Sequence, residues 1–299
     1  MSLGETAVFE PAQAHQPTNI LWQTDHETGN FYDWAVHNGW NFWNPMTEMV
    51  VDEGSGPRIF GYTIQNSNTP PGDCVSTISD EVARSGRFSL KMTLWGATDN
   101  RSQGCRTFRS WTHIDGGDGT PLPDEGYYSA WYYLPQEVTT DVWWNVFQFK
   151  SRSETASDPM LSFNIESDGN GTRSLYVYHE KPHVCQADCA SSSYGNDAVN
   201  LPLREWFHVE AFVRQSSSGE TAVRPDGTLI VWVNGVEIVN KSNIYTLRSP
   251  RARLQWSVNN YTDSIEPDHV VLYVDDAAIS RTRLGAKSLF EANLPIVTR

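Results

Sequence analysis

Gln148 and Lys150 alternate with Phe147 and Phe149 in the stretch WWNVFQFKSRS, Trp143 to Ser153. Strict alternation marks a half-buried β-strand, whose apolar side chains enter a core while the others face solvent or a cleft. On a cleft, an amide can bind a carboxylate and an amine can move a proton. Three more segments repeat the pattern. In MLSFNIE, Leu161, Phe163 and Ile165 oppose Ser162, Asn164 and Glu166, and in SLYVYHE, Leu175 and Val177 oppose Tyr176 and Tyr178. In RLQWSVNNY, Leu254, Trp256 and Val258 oppose Arg253, Gln255, Ser257, Asn259 and Tyr261. Side by side, these strands present a face rich in amides and phenols and poor in charge. Such a face hydrogen-bonds and stacks on a flat, hydroxyl-rich ligand, and its scarcity of charge favours a cleft over an ordinary solvated sheet face. Trp144 and the rim residue His179 join the candidate ligand contacts, with His179 as a reserve base.

Positioning this face requires neighbouring strands in fixed register. Ten segments alternate in this way, from RFSLKMTLW to HVVLYVDDAAIS, separated by turn sequences such as SDGNGT, RPDG and VNGVE. Helical periodicity is nearly absent, apart from a peripheral helix expected near AKSLFEAN. The expected fold class is all-β, an antiparallel β-sandwich or jelly roll. One domain over residues 1–299 is expected, with a less regular N-terminal region of about residues 1–80 packed on it.

The formal charge of −14 argues against nucleic acid or an anionic membrane as partner, because both would repel such a surface. No apolar run reaches membrane-spanning length. Four cysteines make an even count, and the simplest reading pairs Cys185 with Cys189, in CQADC, and Cys74 with Cys105. Disulfides imply a secreted or periplasmic protein, although the opening MSLGETAVFE is no signal peptide. A monomer is expected. Glycosylation-acceptor triplets occur at Asn100, Asn170, Asn240 and Asn260, the last one crowding the expected cleft if modified.

The succession CRTFR, YYSAWYYLP, VFQFK, REWFHVEAFVR, DGTLIVWVNGVEI and VVLYVDDAAIS resembles the jelly-roll polysaccharide lyases of the heparin-lyase and glucuronan-lyase type, within the concanavalin A-like superfamily. The resemblance runs from about Arg87 to Ser280. It implies an Arg-bearing strand, a Gln-x-His strand and a late strand ending in Tyr around one groove, and places Arg106 and Arg109, Gln148, and Tyr261 on them. Lys150 stands where the family has His, Thr107 and Phe108 replace a carboxylate between the arginines, and the approach to the tyrosine reads SVNNY. The resemblance also implies a structural Ca²⁺ near the last strand, with Asp275 and Asp276 as ligands. No cofactor is required for the chemistry.

The implied substrate is an acidic, uronate-containing polysaccharide, cleaved by β-elimination. That reaction needs a group to neutralise the uronate carboxylate, a base for the proton on the adjacent carbon, and an acid for the departing oxygen. Gln148 and Asn164, assisted by Arg106 or Arg109, suit the first task, and Tyr261 with Lys150 suits the other two. Arg106 and Arg109, three apart, face opposite sides of a strand unless a bulge intervenes, so at most one lines the groove. Two rivals accompany this reading. A non-catalytic carbohydrate-binding domain would use the same face without a base, and a retaining glycoside hydrolase would need two nearby carboxylates, for which Glu166 and Asp168 are the nearest candidates.

Overall fold

The computed structural model describes residues 19–35, 51–52, 63–65, 73–98, 102–109, 122–140, 142–153, 157–180, 182 and 190–286. The first half of the chain contributes β1 (Ile20–Thr24), the helical turn α1 (Tyr32–Ala35), β2 (Val51–Asp52), β3 (Thr63–Gln65), β4 (Cys74–Ser79), β5 (Ser89–Leu94), β6 (Gln103–Arg109), β7 (Glu125–Tyr133), β8 (Thr139–Thr140) and β9 (Trp144–Arg152). The second half contributes β10 (Ser157–Ser167), β11 (Arg173–His179), β12 (Ser192–Gly195), β13 (Trp206–Arg214), β14 (Gly227–Val233), β15 (Val236–Ile244), β16 (Arg253–Thr262), β17 (Ile265–Glu266) and β18 (Val270–Ser280). All ten alternating segments form strands.

Two sheets pack face to face. One runs β15-β14-β13-β7-β18-β5-β4, with β1 also on β18, and the other runs β12-β11-β10-β9-β16-β6-β3-β2. Pairing is antiparallel throughout these sheets except between β2 and β3. Neighbours distant in sequence, β7 beside β18 and β9 beside β16, give the long crossovers of a jelly roll. Where β14 turns into β15 the chain reverses through Asn234 and Gly235, both with positive φ. That is the two-residue hairpin turn whose twist matches the strands it joins.

Apolar members of each alternating set meet between the sheets: Phe147, Phe149, Phe163, Val177, Trp256 and Val258 from one, Leu90, Met92, Tyr128, Tyr132, Phe207 and Leu272 from the other. A Leu or Phe buried this completely contributes about 1.5–3 kcal/mol relative to exposure. Cys74 on β4 and Cys105 on β6 form a disulfide that ties the two sheets together, with Cα atoms 5.6 Å apart. Cys185, Cys189 and the AKSLFEAN segment beyond Ala286 lie outside the described residues. The glycosylation triplet at Asn260 is not a surface site: its side chain points into the sandwich, donates to Met92 O and Val270 O, and accepts from Trp144 Nε1. Replacing Cys74 and Cys105 together by Ser is expected to lower unfolding stability by about 2–4 kcal/mol, measured by denaturant titration under non-reducing conditions, because the cross-link restricts the unfolded chain.

Candidate active site

The second sheet carries a groove of about 500 Å³ on the face turned away from the core. Its floor is a set of residues aligned across strands. Tyr176 on β11, Asn164 on β10, Asn145 on β9 and Tyr261 on β16 are successive register partners, ending at Gly104 on β6. A second row, parallel to the first, runs Tyr178, Ser162, Gln148, Ser257 and Phe108. Trp143, Pro159, Glu180 and Ser193 complete the lining.

Two irregularities in register create the first row. Against β10, strand β9 carries one extra residue between Asn145 and Phe147; against β9, strand β16 carries one between Val258 and Tyr261. A bulge shifts the alternation by one residue beyond it. Simple alternation would place Trp144 beside Gln148 in the groove and send Asn145 inward. The structure reverses both: Trp144 is fully buried in the core, bonded to Asn260, and Asn145 lines the groove. The one sequence signal for this was that Asn145 fell in the apolar phase of its strand.

Neutral amides dominate the electrostatics of the floor. Asn145 Nδ2 donates to Asn164 Oδ1 at 3.1 Å, and Asn259 Nδ2 donates to Asn145 Oδ1. Gln148 Nε2 donates to Ser162 Oγ at 2.9 Å, while Gln148 Oε1 and Ser257 Oγ, both on this face, have no partner among the described residues. Burial pushes the Tyr176 hydroxyl upward, an effect opposed by its hydrogen bond with Asn164. Trp143 packs against Tyr261 with ring centroids 4.9 Å apart and is held by Asp263, which accepts from its indole N–H.

The two arginines separate as strand geometry requires. Arg106 pairs in register with Asn259 and sets its guanidinium 5.4 Å from the Tyr261 ring centroid. Arg109 turns to the opposite side, donating to Trp34 O at 2.6 Å beneath the Trp22 ring, where burial pulls it down to about 10. It is a structural residue and not a groove contact.

Lys150 and Tyr261 are not brought together. Lys150 lies opposite Gln255, whereas Tyr261 lies opposite Asn145. Five residues of strand at about 3.3 Å each put their backbones roughly 16 Å apart along the strand. Lys150 and Gln255 are buried partners farther along the same two strands. Arg253, farther along, is exposed and donates to Asp124 Oδ1 at 2.6 Å.

Three further expectations also change. His179, opposite Leu161 on the inward face, shares a hydrogen bond with Tyr194 OH at 3.0 Å and lies 2.6 Å from Tyr245 O. Burial lowers its pKa, so it is a neutral tie between strands and not a base in the groove. Asp275 and Asp276 sit among protein donors: Asp275 accepts from the backbone N–H groups of Arg84 and Ser85, while Asp276 accepts from Ser85 Oγ and pairs with the Arg84 guanidinium. A guanidinium where a cation would sit does not fit a Ca²⁺ site, and burial, with Asp275 beside it, raises Asp276 to about 6. No cluster of three or more acidic, His or Cys ligands occurs among the described residues. Glu166 and Asp168, the carboxylates a hydrolase would need, are exposed, and Asp168 caps a turn by accepting from Asn170 N and Thr172 N.

No curated protein matches this chain. Among solved structures, an endo-β-1,4-glucuronan lyase from the fungus Trichoderma reesei is similar with TM-score 0.54 and 16% identity, covering 72% of this chain and 90% of that one. At that identity the likeness establishes the shared fold. Alginate lyase vAL-1 from Chlorella virus is a more distant match, with TM-score 0.46 and 13% identity over 69% of this chain and 89% of that one. A family model described as polysaccharide lyase matches residues 26–277, a span that runs from the α1 turn into β18, leaving out β1 and the end of β18, and contains every residue of the groove floor. The chain belongs to the polysaccharide lyase family.

Proposed function

We propose that the groove binds an acidic polysaccharide through the carboxylate of a uronate residue and cleaves the chain by β-elimination, with Tyr261 as the proton carrier. The observation that carries this reading is the single row in which amide donors and Tyr261 stand side by side, with Arg106 over the phenol ring. Asn164 and Gln148 are suited to the uronate carboxylate. Among the described residues the Gln148 side chain bonds the Ser162 hydroxyl alone, which donates as readily as it accepts, so its amide can turn the NH₂ to the groove and keep that bond.

Abstraction of the proton beside the carboxylate sends the C–H electron pair into an enolate-like carboxylate, where fixed N–H donors act most strongly. The pair then forms the carbon–carbon double bond as the C–O bond to the leaving sugar breaks. Tyr261 can perform both proton steps when the proton and the leaving oxygen lie on one face of the ring: the phenolate takes the proton, and the resulting phenol returns it to the departing oxygen. Arg106 is placed to stabilise charge on the phenol oxygen during this cycle. With its backbone several residues along the strand from Tyr261, Lys150 is assigned no proton step in this reading and is given a role along the bound chain. Trp143, Tyr176 and Tyr178 offer ring faces for sugar stacking. The disulfide supports a secreted or periplasmic setting, and we read the protein as a monomer that requires no cofactor.

Tyr261 depends on its register partner. Gly104 has φ +148°, and a Cβ there would lie 2.5 Å from Tyr261 Cα and 2.2 Å from Asn260 O. Only glycine allows the two strands to approach this closely beneath the tyrosine.

Purified protein mixed with glucuronan, alginate, heparin-type and pectic polymers is expected to give rising near-ultraviolet absorbance, from the new unsaturated uronate, with at least one of them. A flat trace across the panel with saturable binding to any polymer would replace elimination by glycan binding. On the active polymer, Tyr261→Phe is expected to lower kcat by at least about a hundredfold with the fold intact; retained turnover would remove the proton-carrier role. Gly104→Ala is expected to lower kcat by about tenfold or more and to cost about 1–3 kcal/mol of stability, by displacing Tyr261. Full activity in that variant would show that the tyrosine's position tolerates the added methyl group.

A further inference from the structure

We propose that Asn145 is a positioning residue that fixes which end of the neighbouring groove amides meets the substrate. The inference rests on the β-elimination reading and concerns a residue that alternation alone sends to the core. Asn145 Nδ2 lies 3.2 Å from Phe147 O, 3.1 Å from Phe163 O and 3.1 Å from Asn164 Oδ1. Main-chain carbonyls only accept hydrogen bonds, so this amide cannot turn over without setting oxygen against oxygen. Its Oδ1 must therefore be the acceptor, and it receives Asn259 Nδ2.

Both neighbours are committed in consequence. Asn164, which accepts on Oδ1, keeps its NH₂ for the groove side, where it hydrogen-bonds the Tyr176 hydroxyl. Asn259, which donates its NH₂, is left with a carbonyl oxygen that has no partner among the described residues. The polarity of three amides on three strands is thus set by two backbone carbonyls below them. Gln148, tied only to a hydroxyl, has no such constraint.

This polarity suits a carboxylate. An ionised carboxylate has acceptors only, so an amide that presents NH₂ attracts it and one that presents oxygen repels it. A donor already oriented before substrate arrives needs no reorganisation as charge builds in the transition state, which is where such donors have their largest effect. Asn145 acts through Asn164 and does not touch the reacting atoms.

The test uses the full chain and the polymer that the wild type turns over. Asn145→Asp, Asn145→Ala, Asn164→Ala and the double variant Asn145→Ala with Asn164→Ala are compared by kcat and KM, with folding checked by thermal unfolding. Either substitution at Asn145 is expected to lower kcat by about ten- to a hundredfold. KM should stay within about threefold, as for an interaction made mainly in the transition state. Asn145→Asp should be slower than Asn145→Ala, because its carboxylate draws the Asn164 NH₂ and turns that carbonyl to the substrate. The double variant should be no slower than Asn164→Ala alone, since coupled residues are non-additive. Unchanged kcat in both Asn145 variants, or additive losses in the double variant, would overturn the proposal. If Asn145→Asp does not fold, Asn145→Ala and the double variant carry the comparison. Tyr261→Phe run in parallel separates the two ideas: turnover retained there with the Asn145 and Asn164 coupling intact removes the proton carrier and supports the amide polarity.

Discussion

The register of β9 against β10 and β16 is the constraint on which the groove depends, and aromatic packing underneath holds it. Phe147 meets Phe163 at 4.6 Å and Trp256 at 5.5 Å between ring centroids, while Phe149 meets Tyr128 of the facing sheet edge-on at 4.9 Å. Sliding β9 by one residue would drive Gln148 into this cluster and lift the phenylalanines into the groove. The cost of that exchange, several buried aromatics lost at about 1.5–3 kcal/mol each, makes the register single-valued. The core therefore aligns the amides above it as well as stabilising the sandwich.

Within that frame the two bulges serve a purpose that regular pleating cannot. A regular strand presents every second residue, so Asn145 and Gln148, three apart, would face opposite sides. One extra residue between them puts both on the groove floor and drops Trp144 into the core, where Asn260 satisfies its N–H. The companion irregularity in β16 brings Tyr261 opposite Asn145, above the glycine that leaves it room. The amide row and the position of Tyr261 thus come from the same local departures from ideal geometry.

Net charge and groove character differ. The chain carries a formal −14, yet the groove is lined mostly by amides, hydroxyls and phenols, with Glu180 as its charged member and the Arg106 guanidinium beside the Tyr261 ring. Neutral donors can hold a carboxylate without the large desolvation cost of burying several ions, and they discriminate by direction as well as by sign. A surface of this net charge does not attract a polyanion, so direction-specific hydrogen bonds matter more than long-range attraction.

Alternation in the sequence determined the sandwich, the identity of the core phenylalanines, and the groove face of Gln148, Asn164, Ser257 and Tyr261, because period-two burial is a local property of each strand. It also required Arg106 and Arg109 to part, and Arg106 is the one that lies beside Tyr261. Cys74 and Cys105 paired as their count suggested. What alternation could not carry was anything set between strands. The inward turn of Trp144, the entry of Asn145, the 16 Å separation of Lys150 from Tyr261 (roughly, at strand spacing) and the Arg84 guanidinium on Asp276 all depend on which residues lie opposite one another. Register and bulges are fixed by packing against distant segments, so only the tertiary structure decided which polar residues meet in the groove.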